Sequence, residues 1–391
     1  MTENSYVYLD NAATTFPKPD CVTQAVVQAM QVYGANPGRS GHRLSIQTAQ
    51  QVFRCRETIA GLFGLSNPEQ VVFTSNCTQS LNMAIKGILR PGDHVLVSDL
   101  EHNSVMRPLQ ALHSRRGVQF DIFPVFEGDP ARTVQACQRR IRHNTRLIAC
   151  THASNVFGIK LPVRELAALA KRHKILFLLD AAQTAGCEEI RFEDWGIDLL
   201  AAPGHKGLYG PSGTGILLVR QGLRLGSLLE GGTGSSSLDY RQPQSMPDHL
   251  ESGTVNTAGI IGLNAAVDYL SQQGREQLLN HEMRLTQMAY EKLSGLPGVE
   301  LYTQYPTAGT HAPLFSFNIR GISSEDAVGL LDARGFALRG GLHCAPGAHK
   351  KMGTVQDGAC RMSLGIFNTE PQILDFCEAV KNISQHPEKT L

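Results

Sequence analysis

The sequence predicts an α/β protein with a mainly parallel sheet, followed by a smaller α+β region. Between residues 71 and 220, short β-branched or apolar runs alternate with longer segments of helical period. This rhythm repeats about every 25 to 30 residues, which is typical of βαβ units with crossover helices. A Gly- and Ser-rich stretch at 226–237 interrupts it. We therefore expect a large sheet-containing domain and a smaller C-terminal one.

The individual elements follow from these patterns. Seven apolar or β-branched runs predict the strands of the large sheet, at 71–74, 94–98, 119–125, 146–151, 175–180, 199–202 and 214–220. Segments of helical period between them predict helices at 78–89, 104–116, 130–143 and 163–173. After the interruption, helical segments are expected at 260–293, 324–334 and 370–384, with a strand at 314–319.

Length and apolar content set the expected number of domains. The 391 residues are 42% hydrophobic, which is more than one core usually organises. We expect an N-terminal arm at 1–20, a large domain at 21–258 and a small C-terminal domain at 259–391.

Charge and composition argue against several classes of protein. Lys and Arg total 36 against 35 Asp and Glu, without a block of like charge, so we expect no nucleic-acid-binding face. The apolar runs are far shorter than the roughly 20 residues that cross a bilayer. Because the N-terminus lacks a secretion pattern, we expect a cytoplasmic protein without membrane contact. None of the nine cysteines has C-x-x-C spacing, which argues against a disulfide framework and a zinc site.

Polar residues follow several of the predicted strands at the point where each strand ends. They lie at 74–78, 99–103, 155, 180–183 and 205–206. In an open parallel sheet, ligands bind at the carboxyl ends of the strands. We therefore expect these segments to converge on one crevice.

Lys206 and Asp180 are candidate catalytic residues at this edge. Lys206 follows an apolar strand within a Gly-rich turn, where burial would lower the pKa of the amine and suit it to Schiff-base chemistry. A solvated loop lysine is the alternative. Asp180 ends a fully apolar strand, where a buried carboxylate needs a cation such as a protonated pyridine nitrogen. It is equally compatible with the N-cap of a helix starting at Ala181.

Three further segments carry residues suited to binding or catalysis. Residues 74–78 follow a strand and open a helix, so they form either an anion site or an ordinary helix cap. Cys344 lies in a Gly-rich segment beside a histidine, which suits a reactive thiol better than a buried one. Arg361 lies in an alternating strand-like run and matches either a substrate carboxylate or a surface position.

Jointly, these motifs resemble the cysteine desulfurases, which are class V aminotransferase-like, fold-type I pyridoxal-phosphate enzymes. The resemblance spans nearly the whole chain. Its segments are Tyr8–Thr15, Glu101–Asn103, Ser154–Gly158, Asp180–Gln183, Gly204–Lys206, Arg361 and Asn368–Thr369. It implies a fold-type I architecture, in which a large domain holds a mainly parallel seven-stranded sheet and a smaller α+β domain follows.

The resemblance also implies how pyridoxal 5'-phosphate is held. Lys206 would form the Schiff base, Asp180 would pair with the ring nitrogen, and His102 would stack on the ring and assist proton movement. Gln183 would contact the phenolic oxygen of the ring.

The phosphate of the cofactor and the subunit arrangement are implied in the same way. Cys77 and Thr78 lie where the family binds phosphate at a helix start, with His205 helping. Thr254 corresponds to a phosphate contact that the other subunit supplies, which implies a homodimer.

For the substrate, the resemblance implies L-cysteine, with Asn155 and Arg361 on its carboxylate and Arg339 as a further substrate-binding residue. Cys344 matches the nucleophilic cysteine, which would take sulfur as a persulfide while alanine is released. The short 339–345 segment resembles the subgroup that pairs with a sulfur-acceptor protein. Sulfur metabolism, including iron–sulfur cluster assembly, is the implied role.

Other functions fit parts of the same pattern. Selenocysteine lyase, cysteine or cystine lyase, and class V aminotransferase activity would keep the cofactor and dispense with Cys344. A non-enzymatic scaffold would leave Lys206 unused. Two positions depart from the family: Gly204 stands where many relatives have serine, and Leu342 replaces the first of two histidines before the cysteine.

Overall fold

A computed structural model describes residues 6–38, 41–235 and 238–385 of the chain. Its strands are β1 (Val7–Tyr8), β2 (Val71–Thr74), β3 (His94–Ser98), β4 (Gln119–Phe123), β5 (Thr145–Thr151), β6 (Leu176–Asp180), β7 (Leu199–Pro203), β8 (Gly215–Val219), β9 (Val299–Leu301), β10 (Leu314–Ile319), β11 (Phe336–Ala337) and β12 (Cys360–Ser363). The seven strands predicted between residues 71 and 220 correspond to β2 through β8.

The central sheet contains these seven strands in the order β2-β8-β7-β6-β5-β3-β4. Strand β8 is antiparallel to both of its neighbours, and the remaining pairs are parallel. The prediction of a mainly parallel seven-stranded sheet is therefore confirmed. Its connections place the carboxyl ends of β2, β3, β5, β6 and β7 along one edge.

Helices complete the architecture and follow the predicted periodicity with some differences at their ends. They are α1 (Asp20–Val32), α2 (Arg43–Phe63), α3 (Cys77–Ile88), α4 (Asn103–Arg116), α5 (Pro130–Gln138), α6 (Val163–Arg172), α7 (Thr257–Gln273), α8 (Arg275–Ser294), α9 (Ser324–Asp332), α10 (Pro346–Met352) and α11 (Glu370–Gln385). The segment predicted as helical at 260–293 is two helices, because Gly274 between them has a left-handed φ of 82° that a helix cannot contain. Helices α1 and α2 were not predicted.

Both faces of the central sheet are buried, as a parallel sheet requires. In β6, Phe177 belongs to the core that includes Ile59 of α2. Its neighbour Leu178 belongs to the core that includes Leu81 of α3, since successive side chains of a strand point to opposite faces. This double coverage explains why the predicted strands are continuous apolar runs rather than alternating ones.

A second, smaller sheet lies in the C-terminal part of the chain. It is antiparallel, in the order β12-β10-β9, and its core includes Leu285 of α8, Leu331 of α9 and Phe376 of α11. The N-terminal segment joins this unit, because β1 pairs with β11 and Asp10 bridges to Ser363. The domain boundaries given above stay predictions.

No helix within the described ranges has both the length and the apolar character needed to cross a bilayer.

A buried ion pair anchors the long connection between β8 and α7 to the central sheet. Arg56 of α2 donates two hydrogen bonds to the carboxylate of Glu251, at 2.7 and 2.6 Å, and a third to the carbonyl of Val71. Glu251 also accepts from the N–H of Phe73 at 2.5 Å. The side chains of Arg56 and Glu251 are only 7% and 6% exposed.

We expect Arg56→Ala to lower the free energy of unfolding by about 3 to 5 kcal/mol, because it leaves the Glu251 carboxylate buried without its cation. Chemical denaturation measures the change. Arg54→Ala is the matched control on the same helix, since the Arg54 side chain is 63% exposed and its ion pair with Asp268 is 3.7 Å long. A loss as small as that of the control would contradict the argument.

Candidate active site

The carboxyl ends of the parallel strands surround one cavity that encloses about 500 Å³, part of it open to solvent. Its lining comprises Asn76, Cys77, Thr78, His102, Ser104, Thr151, Asn155, Asp180, Ala182, Gln183, Pro203, His205 and Lys206. The expected crevice therefore exists. Eight of the predicted site residues lie on it: Cys77, Thr78, His102, Asn155, Asp180, Gln183, His205 and Lys206.

Lys206 lies in the turn that follows β7. The N–H of Tyr209 donates to the Lys206 carbonyl at 2.7 Å, and the N–H of Gly210 donates to the Gly204 carbonyl, also at 2.7 Å. Burial lowers the pKa of the Lys206 amine, and the neighbouring Arg361 charge lowers it further. No described residue forms a hydrogen bond or ion pair with the amine. A lysine held in this way is suited to attack a carbonyl carbon near neutral pH.

Asp180 ends β6 with only 3% of its surface exposed. Its Oδ1 atom accepts from the N–H of Ala182 at 2.9 Å and from the Cys77 thiol at 3.6 Å. Burial raises the pKa of this carboxyl, and no described cation lies within ion-pair distance. A turn rather than a helix follows Asp180, so the helix N-cap alternative is wrong. The carboxylate is suited to a cation that enters the cavity.

His102 is the N-cap of α4. Its Nδ1 atom accepts from the N–H of Ser104 at 3.0 Å, so in the neutral ring the proton is on Nε2. Burial, followed by the nearby Lys206 charge, lowers the pKa of His102 to about 4. The ring is therefore neutral at pH 7.

The start of α3 combines a capped helix end with free N–H groups. Asn76 caps the helix by accepting from the N–H of Gln79 at 2.9 Å, whereas the N–H groups of Cys77 and Thr78 have no acceptor within the described ranges. The helix dipole and two free N–H groups favour an anion here. Across the cavity, the buried Nδ1 atom of His205 also lacks a hydrogen-bond partner.

Arg361 lies on β12 and is 2% exposed. One of its nitrogens pairs with Asp10 at 2.5 Å, and another donates to the carbonyl of Asn155 at 2.8 Å. The Nε atom is buried without a partner among the described residues, so this N–H is free to donate to a carboxylate. Sequence reasoning missed Asp10, although it belongs to a motif quoted above.

Cys344 is the exposed member of nine free cysteines, all in described parts of the chain. It and His343 have left-handed φ angles of 57° and 49°, which non-glycine residues rarely adopt. Two hydrogen bonds hold this backbone at the cavity. The N–H of Asn103 donates to the Cys344 carbonyl at 2.7 Å, and the Asn155 amide donates to the His343 carbonyl at 2.8 Å. The backbone of Cys344 therefore lies next to the segment that carries His102.

Four predicted residues are not part of this lining: Cys344, Arg361, Thr254 and Arg339. Thr254 is exposed and borders a separate cavity together with Ser75 and Gln79. Arg339 is also exposed, and its carbonyl accepts from the N–H of Arg361 at 2.9 Å. Its charge lowers the pKa of His102, so the side chain lies close enough to act on an entering anion.

Packing explains one of the two family departures. A Cβ atom on Gly204 would lie 2.0 Å from Oγ1 of Thr214, so this chain has no room for a serine there. Leu342, at the other departure, is 41% exposed and adjoins His343. Sequence reasoning missed the stacking of His343 on His349, whose ring centroids lie 5.8 Å apart.

The fold and this cavity define the class of protein. Residues 7–376 match the family model of class V aminotransferases, and the chain belongs to that family. Within this family, the chain belongs with the cysteine desulfurases. Curated relatives with that name match it over nearly their full length.

Two curated relatives and two solved structures illustrate the relationship. A probable cysteine desulfurase of Methanothermobacter thermautotrophicus is 34% identical, over 97% of this chain and 95% of that protein. The cysteine desulfurase of Haloferax volcanii is 31% identical, over 96% and 88%. The apo structure of a Thermococcus onnurineus enzyme superposes with a TM-score of 0.90 at 31% identity, over 98% and 95%. The structure of the Escherichia coli cysteine desulfurase CsdA superposes with a TM-score of 0.86 at 28% identity, over 98% of this chain and 96% of that one.

Pyridoxal 5'-phosphate is the cofactor of this family, and the residues present fit it. Among the residues that the structure describes, none provides a cation to the buried Asp180 carboxylate, a partner to the Lys206 amine or an acceptor to the first N–H groups of α3. These three features match the ring nitrogen, the aldehyde and the phosphate of the cofactor.

Two buried histidines at the rim of the site predict how stability depends on pH. Burial lowers the pKa of His152 and of His343 to about 3, against about 6.5 for the unfolded chain. The unfolded state therefore takes up more protons as the pH falls below 6.5. The contribution of the two buried, neutral histidines to the free energy of unfolding is complete above pH 6.5 and is lost as the pH falls toward 3.

We expect the free energy of unfolding, measured by urea denaturation, to decrease between pH 6.5 and 4. His152→Gln should make this dependence shallower, because it removes one titrating group. His173→Gln serves as the control, since His173 is exposed and solvated in both states. If His152→Gln left the slope unchanged, the neutral burial of His152 would be wrong.

Proposed function

We propose that this protein is a pyridoxal-phosphate-dependent cysteine desulfurase, which converts L-cysteine to L-alanine and retains the sulfur on Cys344 as a persulfide. The observation that carries the proposal is the placement of Cys344. It is the exposed cysteine, and its backbone is hydrogen-bonded beside His102 at the cavity that contains Lys206 and Asp180. A lyase or aminotransferase would not need a thiol there.

Five residues and one helix end would hold the cofactor. Lys206 would bind its aldehyde carbon, Asp180 would pair with its ring nitrogen, and His102 would cover the face of the ring. Gln183 would contact the phenolic oxygen, while the start of α3 and His205 would bind the phosphate. When bound, the cofactor supplies an electron sink that makes the Cα proton of the substrate acidic.

The substrate is oriented through its carboxylate. Arg361 contributes its free Nε donor, the amide of Asn155 lies beside it, and Arg339 adds positive charge from the rim. Since Asp10 already accepts a hydrogen bond from one nitrogen of the Arg361 guanidinium, the free Nε–H would donate to the carboxylate of the substrate.

Lys206, His102 and Cys344 then move protons and sulfur. The Lys206 amine, whose pKa is lowered by burial, would remove the Cα proton of the substrate and later return a proton. The Cys344 thiolate attacks the substrate sulfur, forming a sulfur–sulfur bond as the carbon–sulfur bond breaks. The electron pair of the broken bond goes to the carbon skeleton, which leaves as alanine after it takes up protons, with His102 assisting their transfer.

We expect Cys344→Ser to abolish alanine formation from L-cysteine while the protein keeps its yellow colour and bound cofactor. The reason is that the nucleophile is lost and the cofactor contacts are not. Product analysis with cysteine, selenocysteine and cystine as parallel substrates measures the effect, with the half-buried Cys21→Ser as the control.

Lys206→Ala should lose the covalent link to the cofactor, so borohydride should no longer fix the cofactor to the protein. Undiminished turnover of cysteine by Cys344→Ser would contradict the persulfide route. Fixation of cofactor to Lys206→Ala would instead contradict the Schiff-base assignment.

A homodimer is part of the proposal, because Thr254 would complete the phosphate site of the other subunit. Apolar side chains on α1 and α2 support it. Met30 is 73% exposed, Leu44 57% and Phe53 43%, and Phe53 borders a surface groove with Ile46. A contiguous apolar face of this kind marks an interaction site.

A sulfur-acceptor protein is also part of the proposal. Near Cys344, the exposed Leu342 would contact it.

We expect Phe53→Glu to shift the protein toward monomers in sedimentation velocity, because a charge would be buried in the interface. The same variant should bind pyridoxal 5'-phosphate less tightly, since Thr254 of the other subunit is removed. Leu374→Glu is the control, at 40% exposure on α11. A Phe53→Glu protein that stays dimeric would place the interface elsewhere.

A further inference from the structure

The side chain of Cys77 contacts the carboxylate of Asp180. Its sulfur lies 3.6 Å from Oδ1, and both residues line the same cavity. Cys77 is 9% exposed and Asp180 is 3% exposed. The two come from α3 and β6, 103 positions apart. Of the two donor groups of Cys77, the backbone N–H is free to bind a phosphate, whereas the thiol contacts Asp180. The thiol therefore has a role of its own in the site.

The Cys77 thiol is a hydrogen-bond donor in this environment. Burial, together with the negative charge of Asp180, raises its pKa well above the usual value, so the sulfur keeps its proton. Its single S–H hydrogen has the Asp180 carboxylate as its acceptor. The same effect makes Cys77 a poor nucleophile, in contrast to the exposed Cys344.

Both donors to Asp180 act on the same oxygen atom. Oδ1 accepts from the N–H of Ala182 at 2.9 Å and from the Cys77 thiol, whereas no described residue donates to Oδ2. Two donors on one oxygen fix the rotation of a carboxylate and favour its ionised form. Oδ2 is therefore left as the acceptor for a cation.

We propose that Cys77 is a positioning residue, whose thiol holds Oδ1 of Asp180 so that Oδ2 remains available to the ring nitrogen of the cofactor. The inference rests on the proposed function, since Asp180 must pair with that nitrogen. Cys77 acts through Asp180 and touches neither the substrate nor the reacting atoms.

The test is a double-mutant cycle on the affinity for pyridoxal 5'-phosphate, measured by equilibrium dialysis of the holoenzyme with the visible band as readout. Cys77→Ala should weaken binding about threefold to tenfold, the range expected for one ordinary hydrogen bond, since a thiol is a weak donor. Cys77→Ser should restore it to within about twofold, because a hydroxyl also donates. The backbone N–H at position 77 is present in all variants.

Two controls separate positioning from packing. Cys150→Ala removes a thiol that is 1% exposed and has no hydrogen bond to Asp180, so it should leave the affinity unchanged. In an Asp180→Asn background, Cys77→Ala should have little further effect, since the partner carboxylate is gone. Equal weakening by Cys77→Ala in both backgrounds would overturn the proposal, as would no weakening at all.

The failure of the proposed function would give a different result. In that case the wild-type protein would show no visible band and no saturable binding of pyridoxal 5'-phosphate. A wild-type protein that binds the cofactor, together with a Cys77→Ala variant that binds equally well, would overturn only the role of Cys77.

Discussion

A carboxylate buried without a cation is the constraint on which the rest of the site depends. Asp180 is enclosed at the end of β6, at the edge where the parallel strands end, and its Oδ2 atom faces the cavity without a donor from the described residues. Burying such a charge is costly unless a cation completes it. In the function proposed above, the ring nitrogen of the cofactor would supply that cation, and Lys206 and the start of α3 would hold the remaining groups of the same molecule.

A second buried charge joins the small C-terminal unit to this cavity. Arg361 lies on β12, yet its guanidinium reaches Asp10 of the N-terminal segment and the carbonyl of Asn155 from the central domain. Three distant parts of the chain therefore meet at one cation.

Much of this arrangement was predictable from local sequence. Strands β2 and β3 begin and end where the apolar runs do, since burial on both faces leaves a continuous hydrophobic signature. Lys206, Asp180 and His102 were predictable as site residues because each follows a strand. Helices α1 and α2 were not predicted from the sequence. Their exposed apolar side chains blur the periodicity that identifies a surface helix, and we attribute this exposure to contacts between subunits.

The sequence by itself determined the alternation of strands and helices between residues 71 and 220, the family, and the residues with the right chemistry at the strand ends. Tertiary structure alone decided which of them touch. It placed the Cys77 thiol on Asp180, Asp10 on Arg361, and the Asn103 N–H on the carbonyl of Cys344. The physical reason is that hydrophobic periodicity encodes which face of an element is buried. A hydrogen bond between segments 100 to 350 positions apart depends instead on how those faces pack together, and no local pattern contains that information.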